Sequence, residues 1–170
     1  MSFVVCTVLH ESGIEAVLTG GSAATVYAPQ AYQSHDIDMI VTFRPANADA
    51  RAALESLGYH VAAEHYEHVS NPLVLEFPMG PLAVGGELLD TWDTLRENDM
   101  VLHIITPTDS CRDRLAGFMF WNDRGSLAQA VAVARAQRRR IDMDVIRRWC
   151  RREGKDESFR ELERVLASGE

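Results

Sequence analysis

A strand-like run, Ile14-Glu15-Ala16-Val17-Leu18-Thr19, breaks at Gly20-Gly21-Ser22, and no other feature narrows the folds open to this chain as much. Glycines let the backbone bend sharply and bring it close to whatever lies opposite, with no Cβ in the way. Small residues follow, enough for a short helix from Ser22 to about Tyr27. Thirteen residues separate Ser22 from Asp36, which opens the second strand-like run, Asp36-Ile37-Asp38-Met39-Ile40-Val41. Side chains alternate along a strand, so Asp36 and Asp38 share one face while Ile37, Met39 and Val41 turn the other way, into a core.

Strand, glycine turn, helix and acidic strand form a layout that can hold a phosphate and a divalent metal together. N–H groups at a helix start lack internal partners and sit at the positive end of the dipole, so an anion is favoured there. Gly20, Gly21 and Ser22 are the candidate phosphate cradle, with the Ser22 hydroxyl as an added donor. Two carboxylates side by side repel unless a cation intervenes. Mg²⁺ takes oxygen ligands, commonly one or two carboxylates plus substrate phosphates. Each motif by itself is weak: Gly-Gly-Ser is a frequent loop, and Asp-x-Asp is often a solvated strand edge. Their order, spacing and apolar flanks carry the argument.

Taken together these residues resemble the signature of the DNA polymerase β-like nucleotidyltransferase superfamily. The resemblance spans roughly residues 14–78. It implies that the Gly-Ser turn contacts an NTP and that Asp36 and Asp38 bind Mg²⁺ or Mn²⁺. It also implies a third carboxylate on a neighbouring strand. Glu76 fills that place as the only acid in Pro72-Leu73-Val74-Leu75-Glu76-Phe77-Pro78, although the family more often has aspartate there. The ordinary alternative is a strand-edge glutamate facing water. Further on, Ile105–Asp109 and Trp121–Arg124 are similar to small bacterial nucleotidyltransferase-like proteins, some from toxin–antitoxin or abortive-infection systems. Arg114, on the helix after the sheet, would then help bind triphosphate through its planar donor fork. Its alternative is a surface ion pair with Asp113.

The implied activity is metal-dependent transfer of a nucleoside monophosphate from an NTP to an acceptor hydroxyl. The acceptor, whether protein, tRNA or small molecule, stays open. So does the alternative of a catalytically silent antitoxin or regulatory module with a cognate toxin or antitoxin as partner. The expected fold class is α/β (α+β): a mixed sheet flanked by helices, with a core over residues 1–106 and a helical extension over 107–170.

Composition sets limits. The net charge is −8, so the whole molecule does not attract a polyanion. Arg135, Arg138, Arg139, Arg140, Arg147, Arg148, Arg151 and Arg152 nevertheless gather in one stretch. They read as solvated helix faces or as an RNA-binding patch. No apolar run approaches the roughly 20 residues of a membrane span, so no membrane is expected. Cys6, Cys111 and Cys150 are odd in number and far apart, which fits a reducing cytoplasm rather than a disulfide framework. The sequence holds neither a P-loop nor a Gly-x-Ser-x-Gly elbow.

Local patterns place the remaining elements. Phe3-Val4-Val5-Cys6 belongs to a buried helix, about Ser2 to Glu11. A helix from Ala48 to Leu57 stops at Gly58, and strands follow over Tyr59–Ala63, Leu73–Phe77 and Asp99–Ile105, with loop between the last two. Thr106 caps a helix with Pro107 in its first turn. Ser126-Leu127-Ala128-Gln129 has capping-box form, Asp142 caps a third helix, and Ser158 opens a fourth. Asn122 and Asp123 read as caps between helices, and Trp121 as a core residue with base stacking as its alternative. His65 and His68 lack a third ligand at zinc spacing and read as part of a solvated hairpin.

Overall fold

The computed structural model describes residues 1–168, and the last two residues of the expected extension lie outside that range. In chain order the elements are α1 (Ser2–Glu11), β1 (Glu15–Leu18), α2 (Gly20–Tyr27), β2 (Asp36–Phe43), α3 (Ala50–Ser56), β3 (Tyr59–Ala62), β4 (His65–His68), β5 (Val74–Glu76), β6 (Ala83–Val84), β7 (Glu87–Leu88), β8 (Asp93–Glu97), β9 (Met100–Ile104), α4 (Pro107–Trp121), α5 (Arg124–Ala136), α6 (Met143–Arg152) and α7 (Asp156–Ser168). Seven strands form one mixed sheet in the order β3-β4-β5-β2-β1-β9-β8, and β6 pairs with β7 in a separate hairpin. This is the expected α/β class, with helices packed against a mixed sheet.

The centre of the sheet explains the position of the acidic strand. β1 runs antiparallel to β2 from Glu15↔Phe43 to Leu18↔Met39, and parallel to β9 at Leu18↔Ile104. β2 in turn pairs in parallel with β5, matching Asp36 with Val74, Ile37 with Leu75 and Asp38 with Glu76. Ile37, Met39 and Leu75 are fully enclosed. Val41, expected beside them, is exposed, because β2 outruns its covering helices toward Phe43. Apolar contacts run on without a break across Thr106: Leu18, Tyr27, Ile104, Leu115, Leu127, Trp149 and Leu162 belong to one core.

Caps fix the helix ends. The Thr106 hydroxyl accepts the Asp109 N–H, and Asp142 accepts the N–H groups of Asp144 and Val145. Asp49 caps α3 by accepting from Ala52. Asn122 ends α4 in the left-handed region (φ 54°), and Asp123 opens α5 by accepting from Gly125, so both act as caps. Ser126 is not the cap that its capping-box pattern suggests. It sits inside the first turn and donates to Asp123 Oδ2 at 2.6 Å, because Asp123 already holds the cap position.

Three local expectations are corrected. α2 begins at Gly20, so the glycines form its first turn. The 93–97 stretch, expected as loop, is strand β8, an edge strand whose mixed Asp93-Thr94-Leu95-Arg96-Glu97 pattern hides it. His65 to His68 is strand β4, the second arm of the expected hairpin, and the difference lies in its burial, since β4 also pairs with β5. His68 is half-buried, with Nε2 2.8 Å from the Leu57 carbonyl and its ring edge-on to Tyr59.

Candidate active site

The turn between β1 and α2 is tied directly to the acidic strand. The β1–β2 ladder ends at Leu18↔Met39, and the next groups continue it by other means. The Thr19 N–H donates to the Asp38 carbonyl at 2.9 Å. The Ser22 hydroxyl donates to the Asp36 carbonyl, which lies beyond the end of β1. Ser22 is 5% exposed. Its hydroxyl hydrogen is therefore engaged with the main chain, a use that spacing alone could not reveal. The first bond into α2 runs from the Ala23 N–H to the Thr19 carbonyl, which leaves the N–H groups of Gly20, Gly21 and Ser22 without intrahelical acceptors.

Gly20 shows why a side chain is excluded here. Its φ is +66°, and a Cβ built on it would overlap Asp38 Oδ2. The Asp38 carboxylate thus lies against the bare Cα of the turn. Gly21 is enclosed from the opposite side: a Cβ there would sit 3.0 Å from Ser34 Oγ and 3.4 Å from Tyr32 Cε1. Tyr32 and Ser34 are neighbours of the turn that sequence reading missed, since the segment after α2 carries no motif.

Register brings the carboxylates together. Asp38 and Glu76 are direct neighbours across the parallel β2–β5 pair, and Asp36 lies one step along the same face. Burial first, then the charges of Asp36 and Glu76, push the Asp38 carboxyl up to about 6, while Arg114 pulls the other way and Asp113 adds to the rise. Asp36, Glu76 and Arg114 therefore all act electrostatically on Asp38. Among the described residues, no three carboxylate, imidazole or thiol groups form a ready-made metal cage.

Arg114 forms the ion pair with Asp113, its alternative reading. Its Nε and Nη2 donate to Asp113 Oδ2 at 2.9 and 2.7 Å, and Nη1 lies 3.5 Å from Gln129 Oε1. Its charge also reaches Asp38 from α4. Beside Glu76 the surface opens into a cavity of about 550 Å³, lined by Glu64, His65, Glu76, Phe77, Pro78 and Met79. His65 Nε2 is 3.2 Å from Glu67 Oε1.

Elsewhere, among the described residues, at least four of the eight arginines of the C-terminal stretch are ion-paired. Arg140 pairs with Asp93, Arg147 with Asp144 and Glu163, Arg151 with Asp156, and Arg152 with Glu87. Cys6, Cys111 and Cys150 are buried free thiols. Among the described residues no helix is long and apolar enough to cross a membrane.

No family model matches the sequence, and no curated protein matches it. The structure is similar to that of the antibiotic-resistance factor ANT(2'')-Ia, determined in solution. The TM-score is 0.51 and the identity 13%, over 98% of this chain and 92% of that one. At this identity the likeness is one of fold, and the fold is of the nucleotidyltransferase type. The likeness is to a resistance factor and lends no weight to a toxin–antitoxin partner.

Proposed function

We propose that this protein is a metal-dependent nucleotidyltransferase that moves a nucleoside monophosphate from an NTP to a hydroxyl of a small acceptor. The observation that carries this reading is the register of Asp38 with Glu76, with Asp36 on the same face and the bare Gly20 Cα against Asp38. The nucleotidyltransferase-type fold supports it at the level of architecture.

The donor set suits Mg²⁺ or Mn²⁺. Three carboxylates share one face, and burial followed by the charges of Asp36 and Glu76 raises Asp38, so a hard cation is the natural counter-charge. Mg²⁺ usually takes only one or two carboxylates, keeps several waters and draws further ligands from substrate phosphates. Asp36, Asp38 and Glu76 would hold it, and when bound it supplies charge stabilisation to the phosphoryl oxygens.

The chain's own groups do the remaining work. The N–H groups of Gly20, Gly21 and Ser22 receive phosphate oxygens at the start of α2. Arg114 places a cation opposite, with Asp113 fixing its fork. Glu76 orients the acceptor hydroxyl and takes its proton. The acceptor oxygen bonds to the α-phosphorus, the bond from that phosphorus to the bridging oxygen breaks, and pyrophosphate leaves with the electron pair.

Residues 1–106 carry the carboxylates and the cradle in this reading, and the helical extension contributes Arg114. The cavity beside Glu76 takes the acceptor. Its glutamates favour an acceptor that bears amines as well as hydroxyls.

Pyrophosphate release with Mg²⁺, each of the four NTPs and a panel of aminoglycosides, tRNA and proteins tests the proposal. An amine-bearing small acceptor should support release, and Asp38→Asn should abolish it. Equal nucleotide binding by wild type, Asp36→Ala and Asp38→Ala, with no turnover in any, would sink it. A tightly co-purifying protein without turnover would favour the silent regulatory module.

A further inference from the structure

We propose that Trp121 is the stacking platform for the nucleobase of the NTP, an inference that deepens the nucleotidyl-transfer reading and rests on it. Sequence reading puts this tryptophan in the core. The structure leaves it 77% exposed at the last position of α4. Met79, Val69 and Leu88 are also exposed apolar side chains, but none lies on a helix that carries a site residue.

Helical geometry links Trp121 to the site. Arg114 and Trp121 are seven residues apart on α4, which is about 20° short of two full turns. They therefore share one stripe, with Trp121 roughly 10 Å further along the axis. That offset is comparable to the reach of a nucleotide from its phosphates to its base. Side chains on a helix lean toward its N-terminus, so the indole covers the turn nearer Arg114 rather than the open end.

The surroundings of the indole suit a nucleotide. Phe118, between the two on the same stripe, carries the Arg124 guanidinium 4.9 Å above its ring, and Glu161 of α7 holds that guanidinium at 2.7 Å, so this flank of the helix end is fixed in place. Phe120 meets the indole edge-on, with ring centroids 6.1 Å apart. Behind it, the bonds from the Asn122 N–H to the Phe118 carbonyl and from the Asp123 N–H to the Gly117 carbonyl lock the helix end. A braced, open aromatic face two turns from a phosphate-directed arginine is the arrangement that base stacking requires, and stacking tolerates any base because each has a π face.

The test compares nucleotides with a base-free probe. Binding of Mg²⁺ complexes of ATP, GTP, CTP, UTP and inorganic tripolyphosphate is measured on full-length wild type, Trp121→Phe and Trp121→Ala. Trp121→Ala should weaken every NTP roughly tenfold, leave tripolyphosphate unchanged, and unfold at the wild-type temperature. Trp121→Phe should retain most of the affinity and lose the nucleotide-dependent quenching of indole emission. Unchanged NTP affinity in Trp121→Ala, or wild-type NTP binding no tighter than tripolyphosphate, overturns the platform alone. Wild type that binds neither NTP nor tripolyphosphate overturns the nucleotidyl-transfer reading and the platform with it.

Discussion

Arg112 and Arg114 stand two residues apart on α4 and serve opposite ends. The Arg112 side chain is 2% exposed. It holds Asp109 at 2.8 Å and Glu87 of the β6–β7 hairpin at 3.1 Å, and lies 5.2 Å over the Trp149 ring. Arg114 is 21% exposed, pairs with its own neighbour Asp113, and its charge acts on Asp38. The first is enclosed by Asp109 of its own helix and by partners from two other parts of the fold, so its charge is spent on architecture. The second keeps an open side and a local brace, which suits a ligand that comes and goes. A buried charge with distant partners fixes structure, whereas a half-open charge with a near partner is ready for function.

The largest expected effect falls on the functional side. Asp38→Asn should lower nucleotidyl transfer by roughly 10³-fold, the scale of removing one charge-stabilising group from a catalytic site. The same change should stabilise the free protein at pH 8. Asp38 is raised from 3.8 to about 6 on folding, so the folded protein binds more protons than the unfolded chain between those values. Its contribution is therefore most favourable at low pH and is lost as pH rises through 6. Melting curves should show the variant above wild type at pH 8, with the gap closing near pH 4. A gap that widens on acidification would contradict the crowding of the three acids.

On the structural side, Arg112→Ala should destabilise by about 3 kcal/mol, because it strands buried Asp109 and frees the hairpin. Denaturant unfolding measures this directly. Arg112→Met should recover part of the loss, since it restores packing against Trp149. A loss in Arg112→Ala no larger than that of a surface arginine would erase the contrast with Arg114.

Next in size is Gly20→Ala. It combines a positive φ with overlap on Asp38, a strain of roughly 1–3 kcal/mol, and it must push the carboxylate aside. Both stability and nucleotide affinity should fall. Gly21→Ala, which has ordinary φ and a neighbour at 3.0 Å, should cost less and leave Asp38 in place.

What the sequence disclosed follows from the range of each interaction. α1, the acidic strand and the Thr106 and Asp142 caps depend on residues within a few positions, so periodicity and capping rules find them. Glu76 stood out as one acid in an apolar run, but its alignment with Asp38 needs the β2–β5 register. Strand β8 lay hidden because an edge strand tolerates polar residues on both faces. Arg112 was invisible for the same reason that makes it structural: its partner Glu87 is distant in sequence. Trp121 was misplaced because apolar character suggests burial, and only the packed helix ends decide which face stays open.

The smallest stability effect should come from Arg114→Ala. Its pair with Asp113 joins adjacent, part-exposed residues, and such pairs contribute at most about 1 kcal/mol. Its unfolding midpoint should sit close to wild type, in contrast to Arg112→Ala. Transfer, however, should fall about tenfold, and Arg114→Lys should recover only part of it, because an ammonium cannot both grip Asp113 and present a second donor edge. Salt separates the two arginines further. Screening should weaken NTP binding through Arg114, which faces solvent, while leaving the enclosed Arg112 contacts nearly untouched. Equal loss of stability in both alanine variants, measured side by side from low salt to 0.5 M, on the order of a Debye length of 4 Å, would mean that Arg114 is a second structural clamp and that its approach to Asp38 serves only the fold.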